Sequence, residues 1–435
     1  MDNLTLGFAG VGVVLALLAM RVPIAVALGG VSIVGIAMIR GIGPALGALG
    51  TLPFDFAANW SLSAIPMFLF MGSIAFHTGL TSSLYNAARI WLNRLPGGLA
   101  VATNLGAAGF AAASGSSLAT AAAMGRLAIP EMLKFGYDKA LATGTVAAAG
   151  TLGALIPPSV VFIIYGWFTQ QPIGKLLIAG IIPGLLTALV YTVMIVGRCI
   201  VKPSLAPQIK IDVSWADRWR TLRQVWPLPL LIMGIVGGIY GGLTTPTEAG
   251  AFGAFLALVI SLAQGRLTWS SFRKSVEEAI RTTAAVFFIA IGAILLSRFL
   301  ALAGVPAHMA VLVNELGLSE IGLIVAMCAV YLVLGMFLDP LGLMLLTLPV
   351  FLPVFEVMNL DLIWIGVLVV KLIEIGLLTP PVGLNAYVVK GVVGDSVPLS
   401  TIFRGLLWFI GCEIFIMLLL VGFPELSTWL PGLMR

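Results

Sequence analysis

Apolar residues run along this chain in blocks of membrane length that are separated by short polar segments. The clearest blocks cover residues 4–20, 22–39, 176–197, 282–297 and 405–422. A helix needs about 20 apolar residues to cross the hydrocarbon core of a bilayer. The pattern therefore predicts an all-α, polytopic membrane protein.

Two further apolar stretches each contain a pair of adjacent prolines. GALIPPSVVFIIYG covers residues 153–166, and GLLTPPVGLNAYVVKG covers residues 376–391. Proline removes a backbone donor and clashes with the preceding turn, so each pair predicts a broken transmembrane helix. Lipid cannot bond to the carbonyl groups that such a break frees, so each break is either a buried kink or the wall of a cavity.

The proline pairs also indicate an internal repeat, because a shift of about 223 residues lays one pair on the other. The same shift aligns RVPIAVALGG with TTPTEAGAFG, SGSS with FLDP, and the apolar runs at 62–77 and 176–197 with those at 282–303 and 400–421. Membrane transport proteins often contain such repeats. The alignment predicts a first repeat over residues 1–197, a linker with an amphipathic helix over 198–225, a second repeat over 226–421 and a C-terminal tail over 422–435.

Each repeat has a pair of short apolar segments, one on each side of a break. The break is SGSS at 114–117 in the first repeat and FLDP at 337–340 in the second. We interpret the segments as re-entrant hairpins at about residues 98–130 and 319–355. A hairpin that turns back inside the membrane adds no crossing. Each repeat then crosses five times, an odd number, so the second repeat is expected to be inverted relative to the first.

The positions of the basic residues agree with this topology, because Lys and Arg favour cytoplasmic loops. With the linker placed in the cytoplasm, 18 of the 23 basic residues fall inside and three fall outside, while Arg298 and Lys371 lie at membrane depth. The first hairpin is then expected to enter from the cytoplasm and the second from the other side, which is an alternating-access arrangement. Segments 80–95, 212–226 and 267–281 mix aromatic and basic residues and are expected to lie as amphipathic helices on the cytoplasmic surface.

Composition narrows the class of protein further. The chain is 60% hydrophobic and 9% charged, and its net charge of +5 comes mostly from short loops, so we expect no nucleic-acid partner. Its two histidines and three scattered cysteines do not suggest a transition-metal centre. No HExxH, GxSxG or Walker motif occurs, which argues against an intramembrane enzyme and an intrinsic ATPase.

The helix breaks are the places where we expect ions to bind. Broken helices expose backbone groups at the membrane midplane, and a small hard cation such as Na⁺ prefers oxygen ligands. We expect one Na⁺ site per repeat. Each site takes residues from a tip and from the break that faces it. The first site consists of Ser114, Gly115, Ser116, Ser117, Gly153 and Ile156. The second site consists of Gly335, Phe337, Asp339, Gly376 and Thr379. The candidate substrate contacts at the same breaks are Ser116, Pro157, Pro158, Pro340, Pro381 and Asn385.

Several of the polar residues also have a purely structural interpretation. Serine and glycine in membrane helices often serve close packing. Asp339 precedes Pro340 and is placed to cap the following helix, and Glu248 is placed to cap the helix after Pro246. Lys371 and Glu374 are spaced to pair on one helix face, although a role in substrate binding stays open.

Five stretches of the chain resemble, in family order, the large membrane subunit of TRAP (tripartite ATP-independent periplasmic) transporters. They are GFAAASGSSLATAAAMGRLAIPEM, GALIPPSVVFIIYG, TTPTEAGAFGA, FLDPLGLMLLTLPVFLPV and EIGLLTPPVGLNAYVVKG. The resemblance implies a Na⁺-coupled, elevator-type secondary transporter in the bacterial inner membrane. It also implies two Na⁺ sites, at Ser114–Ser117 with Gly153–Ile156 and at Phe337–Asp339 with Gly376–Thr379.

The same resemblance implies partners and a class of substrate. A periplasmic substrate-binding protein would deliver an organic acid anion, for example a C4-dicarboxylate. A small four-helix membrane subunit is expected as a separate chain, because the first repeat already begins near residue 4. Lys371 departs from the pattern that the family has at this position. The alternative is a self-sufficient sodium–dicarboxylate symporter of related inverted-repeat architecture.

Overall fold

The apolar blocks of the first half form helices in a computed structural model that describes residues 2–207 and 213–434. Within those ranges the regular structure is α-helix with short 3₁₀ turns. The first half contains α1 Asn3–Ala19, α2 Ile24–Arg40, α3 Ile42–Ala57, α4 Ala64–His77, α5 Leu80–Trp91, α6 Gly98–Ser114, α7 Ser117–Lys134, α8 Lys139–Gly150, α9 Leu152–Leu155, α10 Val160–Phe168, α11 Ile173–Ala179 and α12 Ile181–Val201.

The linker and the second half continue the helical pattern. Residues 208–212, which belong to the linker defined from the sequence, lie outside the described residues. The following helices are α13 Trp215–Val225, α14 Pro227–Tyr240, α15 Pro246–Ala263, α16 Trp269–Ala303, α17 Val305–Glu315, α18 Glu320–Gly335, α19 Pro340–Val357, α20 Leu362–Leu378, α21 Leu384–Val393, α22 Leu399–Gly422 and α23 Glu425–Gly432.

Helices of membrane length recur along the described chain. By length and composition six helical segments can cross a bilayer, namely Trp60–His77, Ile173–Val201, Pro246–Ala263, Trp269–Ala303, Pro340–Val357 and Leu399–Gly422. Two bent pairs raise the number to eight: α8 and α9 with α10, bent by 41°, and α13 with α14, bent by 40°. The chain is therefore an all-α, multi-pass membrane protein.

The two halves present their helices in the same order. Helices α18, α19 and α20 begin at residues 320, 340 and 362, which is about 222–223 residues after the starts of α6, α7 and α8 at 98, 117 and 139. The halves also interlock, since α2 packs against α16 and α4 packs against α15. The inversion of one half relative to the other stays a prediction.

One predicted element differs in the structure. The sequence suggests that residues 267–281 form a surface helix separate from the apolar run that follows, but α16 is a single 35-residue helix from Trp269 to Ala303. The segment contains no proline or glycine between Trp269 and Ala285, so nothing interrupts the backbone hydrogen bonds where the polar part meets the apolar part. The prediction of a separate helix there was wrong.

The helix starts show the capping that the sequence suggests. Thr245 Oγ1 accepts from the backbone N–H of Glu248 at 3.3 Å, and the Glu248 carboxylate accepts from the backbone N–H of Thr245 at 2.8 Å. This capping box fixes the start of α15, so the predicted capping role of Glu248 is confirmed. In the linker, α13 packs against α5, where Trp91 contacts Trp215 and Trp219 edge-on.

The two proline-broken helices lie at the centre of the molecule. Every residue of α20 from Trp364 to Leu378 is buried, as is every residue of α8 from Leu141 to Gly150. Helix α20 carries Lys371 and Glu374 within its apolar sequence, and ionisable side chains in membrane helices face the interior of a bundle. Helix α8 packs against α7 and α22, and α20 packs against α18 and α22, so hairpin arms and broken helices form one bundle.

Candidate functional site

The tip of the first predicted hairpin contacts the first proline break directly. Gly115 ends α6 with φ of +62°, a left-handed conformation that glycine adopts without strain. A Cβ atom added to Gly115 would overlap the carbonyl oxygen of Pro158, and one added to Gly153 would lie 2.6 Å from the carbonyl of Ser116. The backbone of the tip and the backbone of the break are therefore in van der Waals contact, as the site hypothesis requires.

The three serines of this tip have different partners. Ser116 caps α7 by accepting from the N–H of Ala119 at 3.4 Å. Ser114 Oγ shares a 2.9 Å hydrogen bond with Thr120 Oγ1. Ser117 Oγ instead donates to the carboxylate of Glu374 at 2.7 Å. The sequence prediction did not include Thr120, although this residue lies one turn after Ser116 and could have been recognised from its position. The contact of Ser117 with Glu374 was also not predicted.

The second tip meets the second break at a pair of glycines. A Cβ atom added to Gly376 would lie 2.7 Å from the Cα of Gly335, which places α18 and α20 in backbone contact. Asp339 accepts from the N–H groups of Leu341 and Gly342, both at 3.2 Å, so its predicted capping role is confirmed. That role leaves lone pairs of the carboxylate free for a cation.

The other predicted residues of the second site differ in exposure. Thr379 Oγ1 donates to the carbonyl of Ile375 at 2.7 Å and still has lone pairs to offer. Phe337 is 58% exposed, so only its main-chain carbonyl is a suitable ligand. Ile156 is partly buried and likewise offers only its carbonyl oxygen.

The prolines proposed to contact substrate lie in unequal surroundings. Pro157 and Pro158 are buried beside the first tip, whereas Pro380 and Pro381 are exposed. The peptide bond within each pair is cis. Pro340 starts α19 and is partly buried. Asn385 is fully buried and donates to the carbonyl of Ala147 at 3.0 Å, which ties α21 to α8.

A cavity of about 510 Å³ opens beside the first tip. It lies between the first hairpin and the pair α4 and α16. Its lining residues include Ser114 and Ser116 from the tip, Arg126 from α7, Ser73 and His77 from α4, and Lys274 and Glu278 from α16. The lining also carries the basic residue Arg281 and the carboxylates of Glu277 and Glu278, so an anion in the cavity would bind at the serine hydroxyls and the basic groups.

The wall opposite the hairpin has its own polar contacts. Glu278 Oε2 accepts from Ser73 Oγ at 2.6 Å and lies 2.8 Å from His77 Nε2. These contacts join α16 to α4 and hold the Glu278 carboxylate. Neither the Arg126 guanidinium nor the Lys274 ammonium group has an ion-pair partner among the described residues, so both are basic groups that a carboxylate in the cavity could engage.

The buried charges are paired differently from the sequence hypothesis. Lys371 Nζ lies 2.6 Å from the carboxylate of Glu413 on α22, and it donates to Thr187 Oγ1 at 2.9 Å. The suggested direct pair of Lys371 with Glu374 was therefore wrong. Glu413, which also accepts from the hydroxyl of Tyr191, was missed, although an acid inside the apolar run 405–422 is a signal that the sequence contains.

Helices of membrane length, two of them broken at proline pairs and packed against hairpin tips, are typical of a multi-pass membrane transport protein. The family model of the tripartite ATP-independent periplasmic transporter, DctM component, matches residues 11–426. The chain belongs to this family of TRAP transporter large permeases.

Relatives and a solved structure agree with this assignment. The C4-dicarboxylate TRAP transporter large permease protein DctM of Pseudomonas aeruginosa is 36% identical over 382 residues, covering 87% of this chain and 88% of that protein. The ectoine TRAP transporter large permease protein TeaC of Halomonas elongata is 32% identical over 430 residues, covering 97% and 98%. The crystal structure of the Alcanivorax borkumensis YdaH transporter matches with a TM-score of 0.59 at 15% identity, covering 88% of this chain and 90% of that one, which shows a shared fold.

Proposed function

We propose that this chain is the translocating subunit of a Na⁺-coupled TRAP transporter that imports an organic acid anion across the bacterial inner membrane. The observation that carries the proposal is the contact of each tip with its own break, at Gly115 with Pro158 and at Gly335 with Gly376. Each contact sets a helix end of the tip against the break, and carbonyl and hydroxyl oxygens there would replace the water of a desolvated cation within the membrane.

Na⁺ would bind where the two breaks supply oxygen atoms. In the first repeat the donors are the hydroxyls and carbonyls of Ser114–Ser117 with the carbonyls of Gly153 and Ile156. In the second they are the Asp339 carboxylate, the carbonyls of Gly335, Phe337 and Gly376, and the Thr379 hydroxyl. A bound cation would hold each tip against its break and so prepare the adjoining cavity for the anion.

The anion would bind beside the first tip. Ser116 lines the cavity at its inner end, and Arg126 offers a guanidinium that can bond a carboxylate through two parallel hydrogen bonds. Among relatives, one is named for C4-dicarboxylates and another for ectoine, which carries a carboxylate as well as a cationic ring. The shared carboxylate supports an organic acid as the class of substrate.

Movement of the anion would follow an elevator mechanism. The bundle of α6, α7, α8, α20, α21 and α22 contains both breaks, whereas the interlocked helices α2, α4, α15 and α16 contain neither. The cavity lies between these two groups of helices. Sliding of the first group along the second would expose the cavity to one side of the membrane and then to the other. A small four-helix membrane subunit would brace the second group, and a periplasmic substrate-binding protein would deliver the anion.

Reconstitution into liposomes tests the proposed function. With an inward Na⁺ gradient, we expect uptake of a radiolabelled organic acid only when the small subunit and the substrate-loaded binding protein are both present. Omission of either partner, or replacement of Na⁺ by K⁺, should reduce uptake to the level of empty liposomes. Uptake by this chain alone would instead support the self-sufficient symporter.

Substitutions at the tips test the two ion sites. Ser116→Ala and Asp339→Asn each remove an oxygen ligand or its charge, so the Na⁺ concentration for half-maximal uptake should rise about tenfold, the change expected for losing a charged or well-placed hydrogen-bonding group. Ser396→Ala, at an exposed 3₁₀ turn far along the chain, is the control and should leave the Na⁺ dependence unchanged. Na⁺ activation curves that coincide for all three variants would exclude the assignment.

A further inference from the structure

Three charged side chains are fully buried among the described residues, and they lie close together. Lys371, Glu374 and Glu413 each have 0% exposure, and the first two are one helical turn apart on α20. Burying an ion is costly unless an opposite charge or several hydrogen bonds compensate it. The three groups together contain two carboxyl groups and one amino group, so with all three ionised the set carries one more negative than positive charge.

The uncompensated charge belongs to Glu374. Lys371 is already engaged, because its Nζ contacts the Glu413 carboxylate at 2.6 Å and the Thr187 hydroxyl at 2.9 Å. Glu374 receives one hydrogen bond, from Ser117 Oγ to Oε1 at 2.7 Å. Its second oxygen, Oε2, is buried and has no hydrogen-bond partner.

A second buried oxygen without a partner lies in the same region. Asn385 uses its Nδ2 to donate to Ala147, but its Oδ1 is buried and accepts no hydrogen bond. A Cβ atom built on Gly150 would lie 3.1 Å both from Asn385 Nδ2 and from the carbonyl oxygen of Ser117. Ser117 thus joins Glu374 on one side to the neighbourhood of Asn385 on the other, and both free oxygens are of the type that hard cations bind.

We propose that a Na⁺ ion binds at Glu374 Oε2 with Asn385 Oδ1 as a neighbouring ligand, in addition to the ions at the two tips. The inference rests on the Na⁺ coupling proposed above. A monovalent cation fits the charge balance, because one positive charge makes the set of Lys371, Glu374 and Glu413 neutral, whereas a divalent ion would leave it positive.

The position of this site would link the two tip sites. Ser117, which bonds to Glu374, belongs to the first tip, and Gly376, two residues after Glu374, belongs to the second break. Both ligands belong to the second half, on α20 and α21, and the hydrogen bond from Ser117 on α7 connects the ligand Glu374 to the first half. A cation here would bind hairpin and broken helix together across the two halves.

Equilibrium binding of radioactive ²²Na⁺ to the purified full-length chain in lipid nanodiscs tests the proposal. At saturating Na⁺, Glu374→Gln should bind one ion fewer per chain than the wild type, because glutamine keeps the size and the acceptor for Ser117 but removes the charge. The charge-matched control is the double variant Lys371→Met/Glu413→Gln. It retains one uncompensated carboxylate and should therefore bind the full number of ions.

The possible results separate this inference from the proposed function. Equal binding by Glu374→Gln and the wild type would overturn the inference and leave Na⁺ coupling intact, whereas a wild type that binds no Na⁺ would contradict both. The inference would also be overturned if Glu374 released a proton without any uptake of Na⁺ at this site. If Glu374→Gln does not fold, Asn385→Ala provides the test, and the Na⁺ concentration that half-fills the weakest site should rise about threefold or more.

Discussion

Replacing Lys371 by methionine is expected to destabilise the protein more than any other single change considered for this chain. The substitution leaves the buried carboxylates of Glu374 and Glu413 without the one buried positive charge among the described residues. Removing one partner of a buried ion pair costs about 3–5 kcal/mol, because the remaining charge stays desolvated. The free energy of unfolding in detergent, measured by thermal or denaturant unfolding, should fall by that amount.

The control for this prediction is a second substitution at the partner. Lys371→Met/Glu413→Gln removes both charges of the pair, and glutamine can still accept the hydrogen bond from Tyr191. Since apolar or neutral replacements of a whole buried pair are often tolerated, the double variant should recover most of the lost stability. A double variant that is no more stable than Lys371→Met would show that the ammonium group does not act through Glu413.

The second large effect is expected at the contact of the second tip with its break. In Gly376→Ala the new methyl group would lie 2.7 Å from the Cα and 2.9 Å from the carbonyl carbon of Gly335. Both are backbone atoms that no side-chain rotation can move, so α18 and α20 must separate. Overpacking of this kind costs about 1–3 kcal/mol. Na⁺-driven uptake should fall to near background, because the ligands on the two sides would no longer reach one ion.

An exposed glycine in the middle of another helix of the bundle provides the comparison. Gly411 lies within α22, and nothing lies within 4 Å of an added Cβ atom there. Gly411→Ala should be as stable as the wild type or more so, because alanine is favoured over glycine in a helix by about 0.5–1 kcal/mol. If Gly376→Ala and Gly411→Ala have the same stability and the same uptake, the close contact of Gly335 with Gly376 is not needed for transport.

Much of the architecture can be predicted from the sequence, because membrane helices and their breaks depend on local chemistry. The two proline pairs mark the breaks, and SGSS marks the first tip, since serine and glycine are what a tight turn near a helix start requires. The repeat then suggests which tip faces which break, and the structure brings both pairs into contact. Ion binding at these contacts stays a prediction.

The pairing of buried charges cannot be predicted in the same way. The helical spacing suggests Glu374 as the partner of Lys371, because spacing rules relate only residues of the same helix. The observed partner, Glu413, comes from α22, and the partner of Glu374 is Ser117 in the other half of the chain. Such contacts depend on how distant helices pack. The continuous helix α16 was also missed, because a change from polar to apolar residues was taken for a helix end.

The burial of α20 from Trp364 to Leu378 has a consequence for how the protein is made. A helix that carries Lys371 and Glu374 inserts poorly on its own, since each ionised residue at the centre of a segment costs about 2.5–3.5 kcal/mol during insertion from the translocon. Glu413 leaves the ribosome some forty residues after Lys371, as part of α22. Helix α20 is therefore expected to be more stable in the bilayer once α22, which is synthesised after it, is present, so the insertion of the two helices is coupled.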